Sequence, residues 1–150
     1  MIKNRTSTVP VERTVARIES VLSRAGVTSI HKTYGPNGEI DSLMFTVEKH
    51  TIRLPVRADA VTDSLRSRIK RPRKSTLAGL RKQAERTAWK LMQDWVEVQI
   101  SLIELQQAEF LQVFLPYVWD VRARITFYDM LRGSNFKALP ELAGAGVGAE

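Results

Sequence analysis

The chain contains no cysteine. That excludes disulfides, thiolate zinc sites, iron–sulfur clusters and cysteine nucleophiles. Only two histidines are present, His31 and His50, so most metalloenzyme ligand sets are out of reach. No apolar run approaches the roughly 18 residues needed to cross a bilayer. The nearest candidate, residues 110–119, is broken by Gln112 and Pro116. The N-terminus is basic (Lys3, Arg5) but no apolar h-region follows, so a signal peptide is not expected. No glycine-rich phosphate loop, G-x-S-x-G elbow or H-E-x-x-H occurs.

What is present supports one domain. The chain has 150 residues, of which 43% are apolar and 26% charged, enough to build a packed core. The formal net charge is +7, and it is concentrated. Residues 1–65 carry a net +2, residues 66–90 a net +9, and residues 91–150 a net −4. Ten basic side chains fall in the middle window: Arg66, Arg68, Lys70, Arg71, Arg73, Lys74, Arg81, Lys82, Arg86 and Lys90. Its single acid is Glu85. Such density creates a local positive potential that attracts polyanions. Three counter-charges are conceivable: nucleic acid, the acidic segment of the same chain, or that segment of a second copy.

The apolar periodicity gives the element order. Val11, Val15, Ile18, Leu22 and Ala25 form one helix face over about residues 10–25, with Pro10 at its entry and Gly26 at its exit. Ser29–Tyr34 reads as a strand, followed by an Asn37-Gly38 turn. Alternation over 43–47 and 52–56 gives two more strands, the last limited by Pro55. Val61, Leu65 and Ile69 suggest a short helix from Asp59, interrupted by Pro72.

From Thr76, Leu77, Leu80, Ala84, Ala88, Leu91, Trp95, Val98, Leu102 and Leu105 mark a helix of some thirty residues, roughly 45 Å long. Residues 109–118 suggest a further helical turn or two, bent near Pro116. A last helix is predicted over Arg122–Leu131, before Gly133. The expectation is an α+β fold: a helix, a three-stranded antiparallel β-meander, a long helix, then C-terminal helices, in α-β-β-β-α order. Residues 1–9 form an arm, 10–137 the domain, and 138–150 a flexible tail.

Four strings carry a resemblance. They are Val9-Pro10-Val11-Glu12-Arg13-Thr14, Arg53-Leu54-Pro55-Val56-Arg57, Gln83-Ala84-Glu85-Arg86-Thr87-Ala88-Trp89-Lys90 (with Trp95 and Gln99), and Val113-Phe114-Leu115-Pro116-Tyr117. Spread over about residues 9–131, they resemble a family of small uncharacterised proteins widespread in phage and prophage genomes. The resemblance implies a mobile-element context in a bacterial host; with no span or signal peptide expected, the cytoplasm is the default location. It supplies no catalytic residues, and residues 66–75 depart from that family's usual linker.

The residues themselves favour a nucleic-acid-binding accessory protein of replication or recombination, with DNA ahead of RNA. The ten cations of the 66–90 window would track phosphates and release counterions. Double-stranded-RNA-binding domains share this element order, and annealing proteins share its β-β-β-α part, which gives single-stranded DNA a slight preference. The alternative is a non-enzymatic interaction or assembly module, including a host-interfering protein, with no nucleic-acid role. Homo-oligomerisation is expected because one small sheet cannot cover so long a helix. Trp89, Leu102, Phe110, Phe114, Tyr117 and Trp119 are candidates for that surface, with Trp95 in the core.

Catalysis finds little support. Asp59 and Asp63 suit a helix entry better than a magnesium site. Glu39 and Asp41 flank a turn, and Glu48-Lys49-His50 lacks an upstream acid. No enzyme activity, metal or cofactor is expected, and no membrane partner.

Overall fold

Helix α1 (Val11–Arg24) buries Val15, Ile18, Val21 and Leu22, the stripe that its sequence spacing predicts. Its exit is a Schellman turn: Gly26 takes φ +90°, and the Val27 amide donates to the Leu22 carbonyl at 3.4 Å. The computed structural model describes residues 2–71 and 73–142. Pro72, and residues 143–150 of the predicted tail, lie outside the described residues.

The meander has the expected order, but its third strand covers residues 50–53 rather than 52–56. Strands β1 (Ser29–Tyr34), β2 (Ile40–Val47) and β3 (His50–Arg53) form an antiparallel sheet in the order β1-β2-β3. The β1–β2 turn needs Gly38, whose φ is +79°. Alternation divides the sheet into two faces. Leu43, Phe45, Val47 and Ile52 point into the core. By register His31, Thr33, Ser42, Met44 and Arg53 share the other face. Strand β3 stops before Leu54, one residue short of Pro55, and Ile52 bridges to Val118 on its free side.

Helix α2 (Ala58–Arg66) ends at Arg66, so Ile69 lies in a turn rather than in the predicted helix. Helix α3 (Lys74–Glu104) has 31 residues. It packs against α1 and α2, and its inner face joins the sheet core through Trp89, Met92, Val96 and Ile100. Helix α4 (Phe110–Phe114) runs into a 3-10 turn (Leu115–Tyr117) around Pro116, which is the predicted bend.

The C-terminal end departs from expectation. Residues 122–124 are not helical. Instead β4 (Trp119–Asp120) and β5 (Ile125–Thr126) form a second, two-stranded antiparallel sheet. Helix α5 (Phe127–Gly133) starts only there, and it includes Gly133. The Asp120 carboxylate accepts from the amides of Arg122 and Ala123, each at 2.9 Å, and so favours a tight turn over a helix. Thr126 then caps α5 by accepting from the Asp129 amide at 3.2 Å.

The N-terminal arm is pinned to α3. Gln83 Nε2 donates to the carbonyls of Arg5 (2.8 Å) and Ser7 (3.0 Å), and Thr87 Oγ1 donates to that of Asn4 (3.0 Å). Asp94 accepts from Asn4 Nδ2 at 2.9 Å and pairs with Lys3 Nζ at 3.1 Å. Partial burial alone would lift the Asp94 pKa. The hydrogen bonds from Asn4 and Lys3, and the charges of Lys3 and Lys90, hold it below the usual carboxylate value. A depressed carboxylate stabilises the fold above its unfolded pKa, and that contribution disappears as pH falls through the lower folded value. The arm is therefore expected to be held most tightly at neutral pH and to loosen as pH drops below about 4, while the Gln83 and Thr87 hydrogen bonds persist. Amide exchange of residues 2–8 across that range measures this, and Asp94→Asn should loosen the arm already at neutral pH.

Candidate nucleic-acid interface

The basic window occupies the end of α2, the connecting turn and the first half of α3. Arg66 closes α2, Arg68, Lys70, Arg71 and Arg73 lie in the connection, and Lys74, Arg81 and Lys82 project from α3. All eight are exposed. Among the described residues none of the eight takes part in an ion pair. Lys74 and Arg81 are seven residues apart, hence on one helix face and about 10 Å apart along the axis.

The last two members of the predicted set behave differently. Arg86 is half-buried, donating from Nε to the Ser7 carbonyl (3.2 Å) and from an Nη to Gln83 Oε1 (2.6 Å). Lys90 is half-buried and lies 3.8 Å from Asp94. The row Lys82, Arg86, Lys90 thus does not act as one free stripe. Its outer end is open, Arg86 ties the arm to α3, and Lys90 pairs with Asp94 of the same helix. Glu85, the one acid of the window, is half-buried. Burial raises its pKa, reinforced by Glu39 and Glu12, while Arg86 and Lys82 oppose the shift.

Four acids of the same chain's acidic segment are engaged elsewhere. Asp94 holds Lys3, Asn4 and Lys90, and Glu97 pairs with Arg17 at 2.7 Å. Glu109 belongs to the capping box of α4, and Asp120 to the turn between β4 and β5. The exposed cations of residues 66–82 therefore have no ion-pair partner among these acids.

The apolar candidates require correction. Trp89 is 1% exposed and Phe114 0%, so both belong to the core rather than to a partner surface. Trp95, expected in the core, is half-buried and holds Phe114 and Tyr117 edge-on at 5.5 Å each. Phe110 stacks on Phe114 at 5.9 Å. Trp119 lies beneath the Arg53 guanidinium at 4.8 Å, and Leu102 is half-buried. The premise for oligomerisation also fails between Ala84 and Ile100, where α1, α2, the sheet and the arm cover the inner face of α3.

The histidines do not converge. His31 pairs with Met44 on the outer sheet face, whereas His50 pairs with Val47 at the sheet's end. Among the described residues, no group of three or more His, Asp and Glu side chains is placed to hold a metal ion. Asp59 pairs with Arg57 at 2.9 Å in the first turn of α2, the helix-entry arrangement. No described helix is long and apolar enough to cross a membrane.

Comparison with known proteins finds no matching family model, curated protein or solved structure.

Proposed function

We propose that the protein binds nucleic acid through residues 66–82, as a non-enzymatic accessory factor of phage or prophage replication or recombination. The observation that carries this reading is the set of eight exposed cations between Arg66 and Lys82, with no acid among them in sequence and no ion-pair partner among the described residues. Such a set, left without counter-charge, costs stability through mutual repulsion, and a phosphate backbone relieves it while releasing counterions. The polyanion is DNA in this reading, with single strands preferred. The four strings that resemble the phage family supply the context.

Co-purification tests the proposal. Protein isolated at low salt is expected to carry nucleic acid, seen as a raised absorbance at 260 nm relative to 280 nm. Nuclease followed by high salt should remove it. Clean protein at low salt would count against the reading.

The second reading is an assembly module. The apolar residues left exposed at the C-terminal end, Val121 at 70% and Leu105 at 68%, favour it. Sedimentation separates the two. Salt-sensitive self-association without DNA retention supports the assembly role.

A further inference from the structure

A cleft of about 450 Å³ lies where the end of β3, the β3–α2 connection, the 3-10 turn and α5 meet. Its volume falls within the range of small-molecule sites. None of the ten cations of the 66–90 window lines it. Three arginines from three separate elements do: Arg53, Arg57 and Arg132. Two of these guanidiniums are oriented by aromatic rings. Arg53 lies 4.8 Å over Trp119, and Arg132 lies 5.8 Å from the Tyr128 ring centroid.

The acids of the lining are unequal. The Asp129 carboxylate is already occupied, accepting from the Thr126 amide at 3.1 Å and from Arg132 at 3.2 Å. Asp41 is exposed and makes no ion pair among the described residues. Two tyrosine rings, Tyr117 and Tyr128, complete the wall.

We infer that this cleft binds a nucleoside 5′-monophosphate. Arg53 makes no ion pair among the described residues, whereas Arg57 is held by Asp59 and Arg132 by Asp129. A phosphate monoester, with several oxygens and up to two negative charges, can engage Arg53 and draw the other two from their single carboxylates. The Tyr117 and Tyr128 rings line the same cleft and offer apolar contact to a base. Asp41 would repel a bare anion, but it accepts hydrogen bonds from ribose hydroxyls or an exocyclic amine. The lining thus offers cations, aromatic rings and one carboxylate outside any ion pair, which suits a ligand that is anionic, planar and a hydrogen-bond donor. The inference stands apart from nucleic-acid binding by residues 66–82, and either can fail alone.

The test is calorimetric titration of the full chain with the four ribonucleoside 5′-monophosphates, their nucleosides and inorganic phosphate. At least one monophosphate is expected to bind with Kd below about 1 mM, and about tenfold or more tighter than its nucleoside and than phosphate. Arg132→Gln should weaken it about tenfold, as should Arg57→Gln. Both side chains are largely exposed, 65% and 70%, so the fold should tolerate either change. Arg71→Gln/Arg73→Gln should bind the monophosphate unchanged. No binding by any monophosphate, equal binding of phosphate alone, or unaltered affinity in both Arg57→Gln and Arg132→Gln would overturn the inference.

Discussion

Reversing Arg71, Arg73, Arg81 and Lys82 to glutamate should abolish DNA binding while leaving the fold intact. All four side chains are exposed and outside any ion pair among the described residues, so the native state loses no contact. Each reversal removes one phosphate contact and adds one repulsion. At about 1 kcal/mol or more for each of the four, the combined loss is three orders of magnitude or more in affinity. The melting temperature should stay within a few degrees, since exposed substitutions away from special features usually change stability by less than about 0.5 kcal/mol each. Arg86→Glu makes the contrasting control. Arg86 ties the arm to α3 through Ser7 and Gln83. Its reversal should lower stability and expose the arm to proteolysis, with a smaller effect on DNA binding. Undiminished binding by the quadruple variant, followed by fluorescence anisotropy, would remove residues 66–82 from the interface.

Phe114→Ala should produce the largest loss of stability of any single substitution considered. Phe114 is fully buried at the junction of the two halves of the chain. It meets Phe45 of the sheet edge-on at 5.4 Å, Trp95 of α3 edge-on at 5.5 Å, and Phe110 in a stack at 5.9 Å. Truncation removes the ring and leaves a cavity bounded by three elements that cannot collapse together. The expected cost is about 3–5 kcal/mol. For a chain of this size that is a fall in melting temperature of roughly 6–20 °C. Leu105→Ala serves as the reference. Leu105 is 68% exposed, and its truncation should cost less than about 0.5 kcal/mol. Equal losses from Phe114→Ala and Leu105→Ala in urea titrations would mean that Phe114 is not where the halves lock together.

In α3 the apolar periodicity misleads. The apolar positions Leu77, Leu80, Ala84, Ala88, Leu91, Trp95, Val98, Leu102 and Leu105 advance by about 3.5 residues per step, whereas a straight α-helix turns every 3.6. That lag is about 20° per heptad, so the stripe slides off the buried face. By its C-terminal end Val98 is 57% exposed and Leu105 68%. The face that packs runs instead through Ala84, Ala88, Met92, Val96 and Ile100, with Trp89 beside it. The same drift explains why Trp89 is fully buried while Trp95 packs on the core from its edge. Helix α1 escapes the problem because it is only 14 residues long.

Other features had little signal to read. The β4–β5 hairpin has two residues per strand, too few for alternation to appear. Its clue is Asp120, a turn residue two positions before Arg122, in a stretch that composition alone assigns to a helix. The docked arm depends on polar groups on an inward helix face. Thr87 is fully buried and Gln83 half-buried, and both serve carbonyls of residues 4–7. A polar residue inside an apolar helix pattern needs a partner, but sequence does not say which. The basic window was the most legible feature. Structure divides it into eight open cations, Arg86 that braces the arm, and Lys90 that pairs within α3, a distinction that charge counting cannot make.

The salt dependence of DNA affinity tests the central claim most directly. Anisotropy of labelled single-stranded and duplex oligonucleotides, titrated with wild-type protein between 50 and about 200 mM salt, yields the slope of log K against log salt. If five to eight of the exposed cations neutralise phosphates, the slope should be about −4.5 to −7 on a duplex and about −3.5 to −5.6 on a single strand. The preferred form is the one bound more tightly at equal salt, and single strands are predicted to be that form. Absence of binding at 50 mM salt, or a slope near zero on both substrates, would contradict the account.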